Sequence, residues 1–109
     1  MTSPTNETEK TMTKAYWVVC YRSISDPAAL SEYTKLAVPA VVGGGGRFLA
    51  RGGTAKTYDA GIDQRTVLVE FDSLAQAIAT HDGPDYQAAL AVLGNAAERD
   101  MRVVEGIDH

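Results

Sequence analysis

GGGGRFLARGG, from Gly43 to Gly53, is the stretch whose reading decides the fold of this chain. Four glycines precede Arg47-Phe48-Leu49-Ala50-Arg51, and Gly52-Gly53 close it, so a short strand is bounded on both sides by residues that tolerate positive φ. Strand interiors disfavour glycine, and a glycine pair inside one marks a bulge, a bend or the close approach of another backbone or a ligand. A bend at Gly52-Gly53 is expected. Arg47 and Arg51 share side-chain parity and would face the same way on a regular strand. One is expected to meet water, while the other needs a partner. The glycine run is not a phosphate cradle of the usual kinds. A Walker loop requires Lys-Ser/Thr after its last glycine, and a dinucleotide fingerprint requires a strand before it and a helix after it. Here a strand follows.

Upstream, Ser25-Asp26-Pro27 predicts a helix start, with Asp26 as N-cap and Pro27 at the first helical position, where its missing N–H costs nothing. Leu30, Tyr33, Ala37 and Val41 recur at helical spacing as its buried stripe. Pro39 is expected to end or kink the helix at Val38. Before it, AYWVVCY (15–21) is short and rich in aromatic and β-branched residues, which predicts a strand buried on both faces. Residues 1–13 are polar, contain five threonines and read as a disordered tail preceding a single domain at 14–109.

Downstream, strand two is expected to bend at Gly52-Gly53 and resume from Ala55 to Tyr58. Turn residues 59–63 then lead to a third strand, RTVLVEF (65–71), completing a hairpin. Ser73-Leu74-Ala75-Gln76 is a capping box opening a helix to about Thr80. His81-Asp82-Gly83-Pro84 interrupts it, and Pro84 starts a second piece with the stripe Tyr86, Leu90, Leu93 and Ala97. MRVVE (101–105) is the last strand. The order β-α-β-β-α-β with right-handed crossovers predicts an α+β, ferredoxin-like domain: a four-stranded antiparallel sheet with its helices on one face. Strand one has apolar residues on both parities, so the face without helices is expected to be covered by a second copy of the chain.

The 109 residues suffice for one hydrophobic core, and a net charge of −4 with ten scattered basic residues excludes a nucleic-acid surface. One cysteine, Cys20, excludes an internal disulfide and reads as a small buried hydrophobe. No apolar run approaches the ~20 residues of a membrane span, and the N-terminus has no signal-peptide pattern, so a cytoplasmic location is expected. No ligand spacing for a metal and no cofactor motif is present.

The candidate chemistry centres on Arg51 and Glu70. Folding the hairpin brings Arg51 near Glu70 or Phe71, depending on a bulge. In an enclosed site Arg51 could hold a carboxylate or enolate while Glu70 moves a proton. Otherwise the pair is a structural salt bridge. His81, the only histidine inside the domain, suits proton transfer near neutral pH, or is an exposed loop residue. Tyr33 and Tyr86 lie on the inner stripes of their helices, where their hydroxyls could line a ligand cleft or belong to the core. Gly52 and Gly53 would let a ligand approach the backbone there.

AYWVV, the Asp26-Pro27 start, Tyr33, GGRFLARGG (45–53), VEF (69–71), GPDYQ (83–87) and VEG (104–106) together resemble the DUF 1330 family of the dimeric α/β-barrel superfamily. The likeness spans about residues 15–107, departing at the extra Gly43-Gly44 and at Gly83. It implies a ferredoxin-like fold, homodimerisation through the sheets, and kinship with proteins acting on small organic molecules without metal or nucleotide. Two functions follow as expectations. One is a cofactor-independent enzyme acting on a small anionic or oxygenated molecule by proton transfer, isomerisation or oxygenation. The other is a non-catalytic dimer binding a metabolite or a protein.

Overall fold

The computed structural model describes residues 13–107. The expected tail at 1–13 therefore falls, except for Thr13, outside the described residues. The elements run β1 (Ala15–Ile24), α1 (Pro27–Gly43), β2 (Arg47–Gly53), β3 (Arg65–Phe71), α2 (Leu74–Asp82), α3 (Pro84–Leu93) and β4 (Ala97–Glu105). All pairings are antiparallel in the order β2-β3-β1-β4, the ferredoxin-like arrangement.

One face of the sheet is covered by helices and the other is open. Ala15, Trp17, Val19 and Tyr21 of β1 join Val67, Val69 and Phe71 of β3 in the core, against Leu30, Tyr33, Ala37 and Val41 of α1 and Tyr86, Ala89 and Leu93 of α3. Burial along β1 thus alternates rather than continuing on both faces. Trp17 anchors the core: its ring packs 5.1 Å from Phe71 and 4.9 Å from Tyr86, and its indole N–H donates to the Ala77 carbonyl at 3.0 Å. Cys20 lies on the open face and is exposed, correcting its expected burial.

The helix starts form as their residues dictate. Asp26 accepts from the Ala29 N–H at 3.2 Å, and Ser73 from the Gln76 N–H at 3.1 Å. Gln76 does not complete the capping box, because its side-chain amide donates instead to the Gly44 carbonyl at 2.7 Å. Helix α1 continues through Pro39 to Gly43, against the expected stop. The proline ring is on the exposed side, and Ala37 and Val41 bury the stripe on either side of it, which outweighs the ~3 kcal/mol a helical proline costs.

The glycine run, not the later pair, carries the special backbone. Gly45 has φ 93, and a Cβ on Gly46 would come within 2.6 Å of Val41 Cγ1. Gly52 and Gly53 have no positive φ, meet open space and pair regularly with Thr66 and Arg65. The bulge falls earlier, between Phe48 and Ala50. Strand β2 stops at Gly53, and 54–64 form a loop instead of resuming at Ala55. Strand β4 begins at Ala97, four residues before expected, because Ile24, Ser23 and Tyr21 of the extended β1 supply partners.

Candidate functional site

The bulge in β2 decides which charges meet. With Arg47 opposite Glu70 and Phe48 opposite Val69, the extra residue Leu49 places Ala50 opposite Leu68 and Arg51 opposite Val67. Glu70 and Val67 have opposite parity on β3, so Arg47 and Arg51 lie on opposite faces of the sheet. The expected meeting of Arg51 with Glu70 does not occur.

On the open face, Arg47 takes the place assigned to Arg51. Its guanidinium donates to Glu70 Oε1 at 3.0 and 3.1 Å and to Asp72 Oδ1 at 3.0 Å. Lys14 reaches the same Asp72 oxygen at 2.8 Å, and Tyr16 donates to Glu70 Oε2 at 3.1 Å. The hydrogen bond from Lys14, followed by that from Arg47, holds the Asp72 carboxyl below its ordinary range, and the bonds to Glu70 and Asp72 raise Arg47. Arg102 is paired with Asp100 at 3.1 Å. This is a mutually neutralising network beside Val18, Leu68 and Val104.

On the covered face, a cleft opens between α1 and the sheet, lined by Trp17, Tyr21, Tyr33, Phe48, Tyr86 and three arginines, Arg51, Arg65 and Arg99. Its inner part encloses about 30 Å³, the space of a water molecule or two. Beyond a neck formed by Thr34, Val38, Arg51 and Arg65, it widens into an open groove of about 620 Å³ along Leu30, Lys35 and Pro39. Neither part is lined by a carboxylate or an imidazole.

Each arginine has a different setting. Arg99 follows the parity of Met101 and Val103 onto the covered face and pairs across the sheet with Tyr21. It donates to the Tyr33 hydroxyl at 3.1 Å, and that hydroxyl lies 2.6 Å from the Tyr86 hydroxyl. Arg65 stands 5.9 Å from the Tyr21 ring, and its Nε is shut off from solvent without a partner. Arg51 lies over the Phe48 ring at 4.9 Å and, among the described residues, has no carboxylate partner.

Burial pushes the Tyr33 phenol well above its ordinary value of 10.0; Tyr86 adds to the rise and Arg99 opposes it. Burial works against the Arg99 cation, but the oxygens of Tyr33 and Tyr86 outweigh it, and its pKa is raised. The cleft therefore presents a neutral phenol and a permanent cation at physiological pH. It can hold negative charge or stabilise charge that develops on a bound molecule.

Tyr33, Tyr86 and Arg51 are thus brought to one cleft. Glu70 belongs to the open face. His81 contacts the Tyr86 ring at 5.3 Å, has Nδ1 2.9 Å from Asp82 and faces a shallow groove with Ile78, Met101 and Val103. Gly52 and Gly53, at the end of β2, line neither part of the cleft. Arg65 and Arg99 were missed by the sequence reading. Two-residue alternation back from Val67 and from Met101 signals both, the second only once β4 is extended to Ala97.

A family model described as a domain of unknown function, DUF1330, matches residues 14–107. Among solved structures, a protein of unknown function from Rhodopseudomonas palustris, RPA0582, superposes with a TM-score of 0.70 at 12% identity, covering 100% of this chain and 96% of that one. A dimeric ferredoxin-like protein of unknown function from Thermobifida fusca gives 0.60 at 18% identity over 86% of this chain and 92% of that one. SnoaB from Streptomyces nogalater, described as a cofactor-independent oxygenase, gives 0.58 at 9% identity over 89% and 96%. Among curated proteins, none matches the sequence. Among the described residues no cluster of three potential metal ligands occurs, and no helix is long and apolar enough to cross a membrane.

Proposed function

The chain belongs to the DUF1330 family, and from that premise we propose that it binds a small organic anion in the cleft between α1 and the sheet. One observation carries this reading: three arginines converge on an aromatic cleft whose lining contains no carboxylate. A guanidinium on a half-enclosed apolar wall is a costly arrangement unless an anion completes it. Arg51 and Arg65 at the neck are the anchoring cations, and the apolar walls hold the body of the ligand.

A second reading, turnover of that anion without a cofactor, draws on the likeness to SnoaB. The role the cleft suits is stabilisation of an enolate or phenolate by Arg99 and the Tyr33 and Tyr86 hydroxyls, rather than proton transfer by a protein carboxylate. The open face, with Val18, Leu68 and Val104 at its centre and paired charges around them, is the surface on which a second copy would sit. The description of the Thermobifida fusca neighbour as dimeric supports this.

Calorimetric titration with benzoate and with uncharged benzamide tests the anion reading. Benzoate should bind selectively, and Arg51→Met should weaken it by roughly tenfold or more. Equal binding of the acid and the amide would defeat the proposal.

A further inference from the structure

The inner cleft holds more donors than acceptors. Thr34 has already given its hydroxyl proton to the Leu30 carbonyl at 2.9 Å and offers only an acceptor, but the remaining polar side chains bring protons. Tyr33 and Tyr86 carry one hydroxyl proton each, and their 2.6 Å contact uses only one of the two. Arg99 contributes N–H groups and no acceptor. One phenol proton is therefore without a side-chain acceptor among the described residues. At the neck, the Nε–H of Arg65 is buried without a partner. Buried donors are seldom left unpaired in folded proteins, so two separate places in the cleft call for acceptor oxygens.

Resting on the anion reading above, we infer that the ligand is a 2-oxo acid. Its carboxylate meets Arg65 and Arg51 at the neck, and the adjacent carbonyl oxygen, an acceptor without a proton of its own, enters the inner space toward Arg99 and the surplus phenol proton. The guanidiniums of Arg65 and Arg99 stand 5.9 and 5.6 Å from the Tyr21 ring, each on one of the two strands beside β1. It is the small inner space, which admits no length of chain, that sets the carbonyl directly beside the carboxylate. The inner volume of about 30 Å³ admits a single carbonyl but not a hydrocarbon body. That body lies in the outer groove against Leu30, Val38 and Pro39.

The test is calorimetric titration of the full chain with 2-oxo-4-phenylbutanoate, 4-phenylbutanoate and the methyl ester of the 2-oxo acid. The 2-oxo acid should bind roughly tenfold tighter than the acid lacking the carbonyl, and the ester should not bind. Arg65→Met should weaken both acids by roughly 10- to 100-fold, because it acts on the carboxylate they share. Tyr33→Phe combined with Tyr86→Phe should reduce the 2-oxo acid to the level of 4-phenylbutanoate without changing the latter. If that double variant fails to fold, the wild-type comparison decides alone. Equal binding of the two acids to the wild type overturns the 2-oxo assignment and leaves the anion reading standing. An ester that binds as well as its acid, or no binding by any of the three at millimolar concentration, overturns both.

Discussion

The two faces of the sheet use arginine in opposite ways. On the open face, Arg47 and Arg102 each lie within hydrogen-bond distance of a carboxylate, and Arg47 touches two. On the covered face, Arg51, Arg65 and Arg99 meet rings and hydroxyls but no carboxylate among the described residues. Charges satisfied within the chain explain themselves as structure, and exposed pairs of that kind are worth only about 0–1 kcal/mol. Arg65 and Arg99 are partly buried on an apolar wall without a counter-charge, an expense that packing does not explain, and this is the ground on which the covered face is proposed as the ligand site.

The adjacent valines 18 and 19 give the largest effect by which the contrast can be broken, since one lies on each face. Val19 is buried, so Val19→Asp strands a carboxylate in the core at a cost on the order of several kcal/mol, much of the ~5–15 kcal/mol that holds a domain together. Val18→Asp should leave the fold intact and, if the open face is the proposed dimer interface, give a monomer near 11.6 kDa where the wild type is a dimer. Circular dichroism and light scattering read the two outcomes. If Val18→Asp remains dimeric, the open face is not the interface.

The next effect separates the two glycine clusters flanking β2. Gly45→Ala forces a side chain into φ 93 and against Gln76 from the helix layer, and should cost roughly 1–3 kcal/mol. Gly52→Ala enters open space and should stay within about 0.5 kcal/mol. Urea unfolding of the two variants ranks them, and a comparable loss at Gly52 would place the strained backbone at the wrong end of the strand.

The smallest effect is the sharpest test of register. A double-mutant cycle on Arg47→Met and Glu70→Gln should show a coupling of about 0.2–1 kcal/mol, as for other half-exposed ion pairs. The same cycle with Arg51→Met should be additive to within about 0.3–0.5 kcal/mol, since Arg51 and Glu70 are on opposite faces. Coupling in the second cycle would mean that the bulge at Leu49 is misplaced.

Much of the fold was legible because it depends on local rules. The Asp26 and Ser73 caps, the stripe Leu30, Tyr33, Ala37 and Val41, and the strand 65–71 all follow from periodicity and capping chemistry, and each is observed. The errors arose where a neighbour overrides the local signal. Pro39 is tolerated because the buried stripe on both sides holds α1 together, and β4 starts early because β1 extends to meet it. Of the candidate site, the sequence by itself determined that Tyr33 and Tyr86 face inward and that Arg51 lies on the strand between the glycine clusters. Tertiary structure alone decided their company. The hairpin register sets Arg51 opposite Val67, three residues from Glu70, and the one-residue bulge at Leu49 reverses parity between the two arginines, so Arg47 faces Glu70 on the open side while Arg51 joins Arg65 and Arg99 on the covered side. The position of such a bulge is set by the pairing of two whole strands, a non-local property that GGGGRFLARGG read alone does not contain.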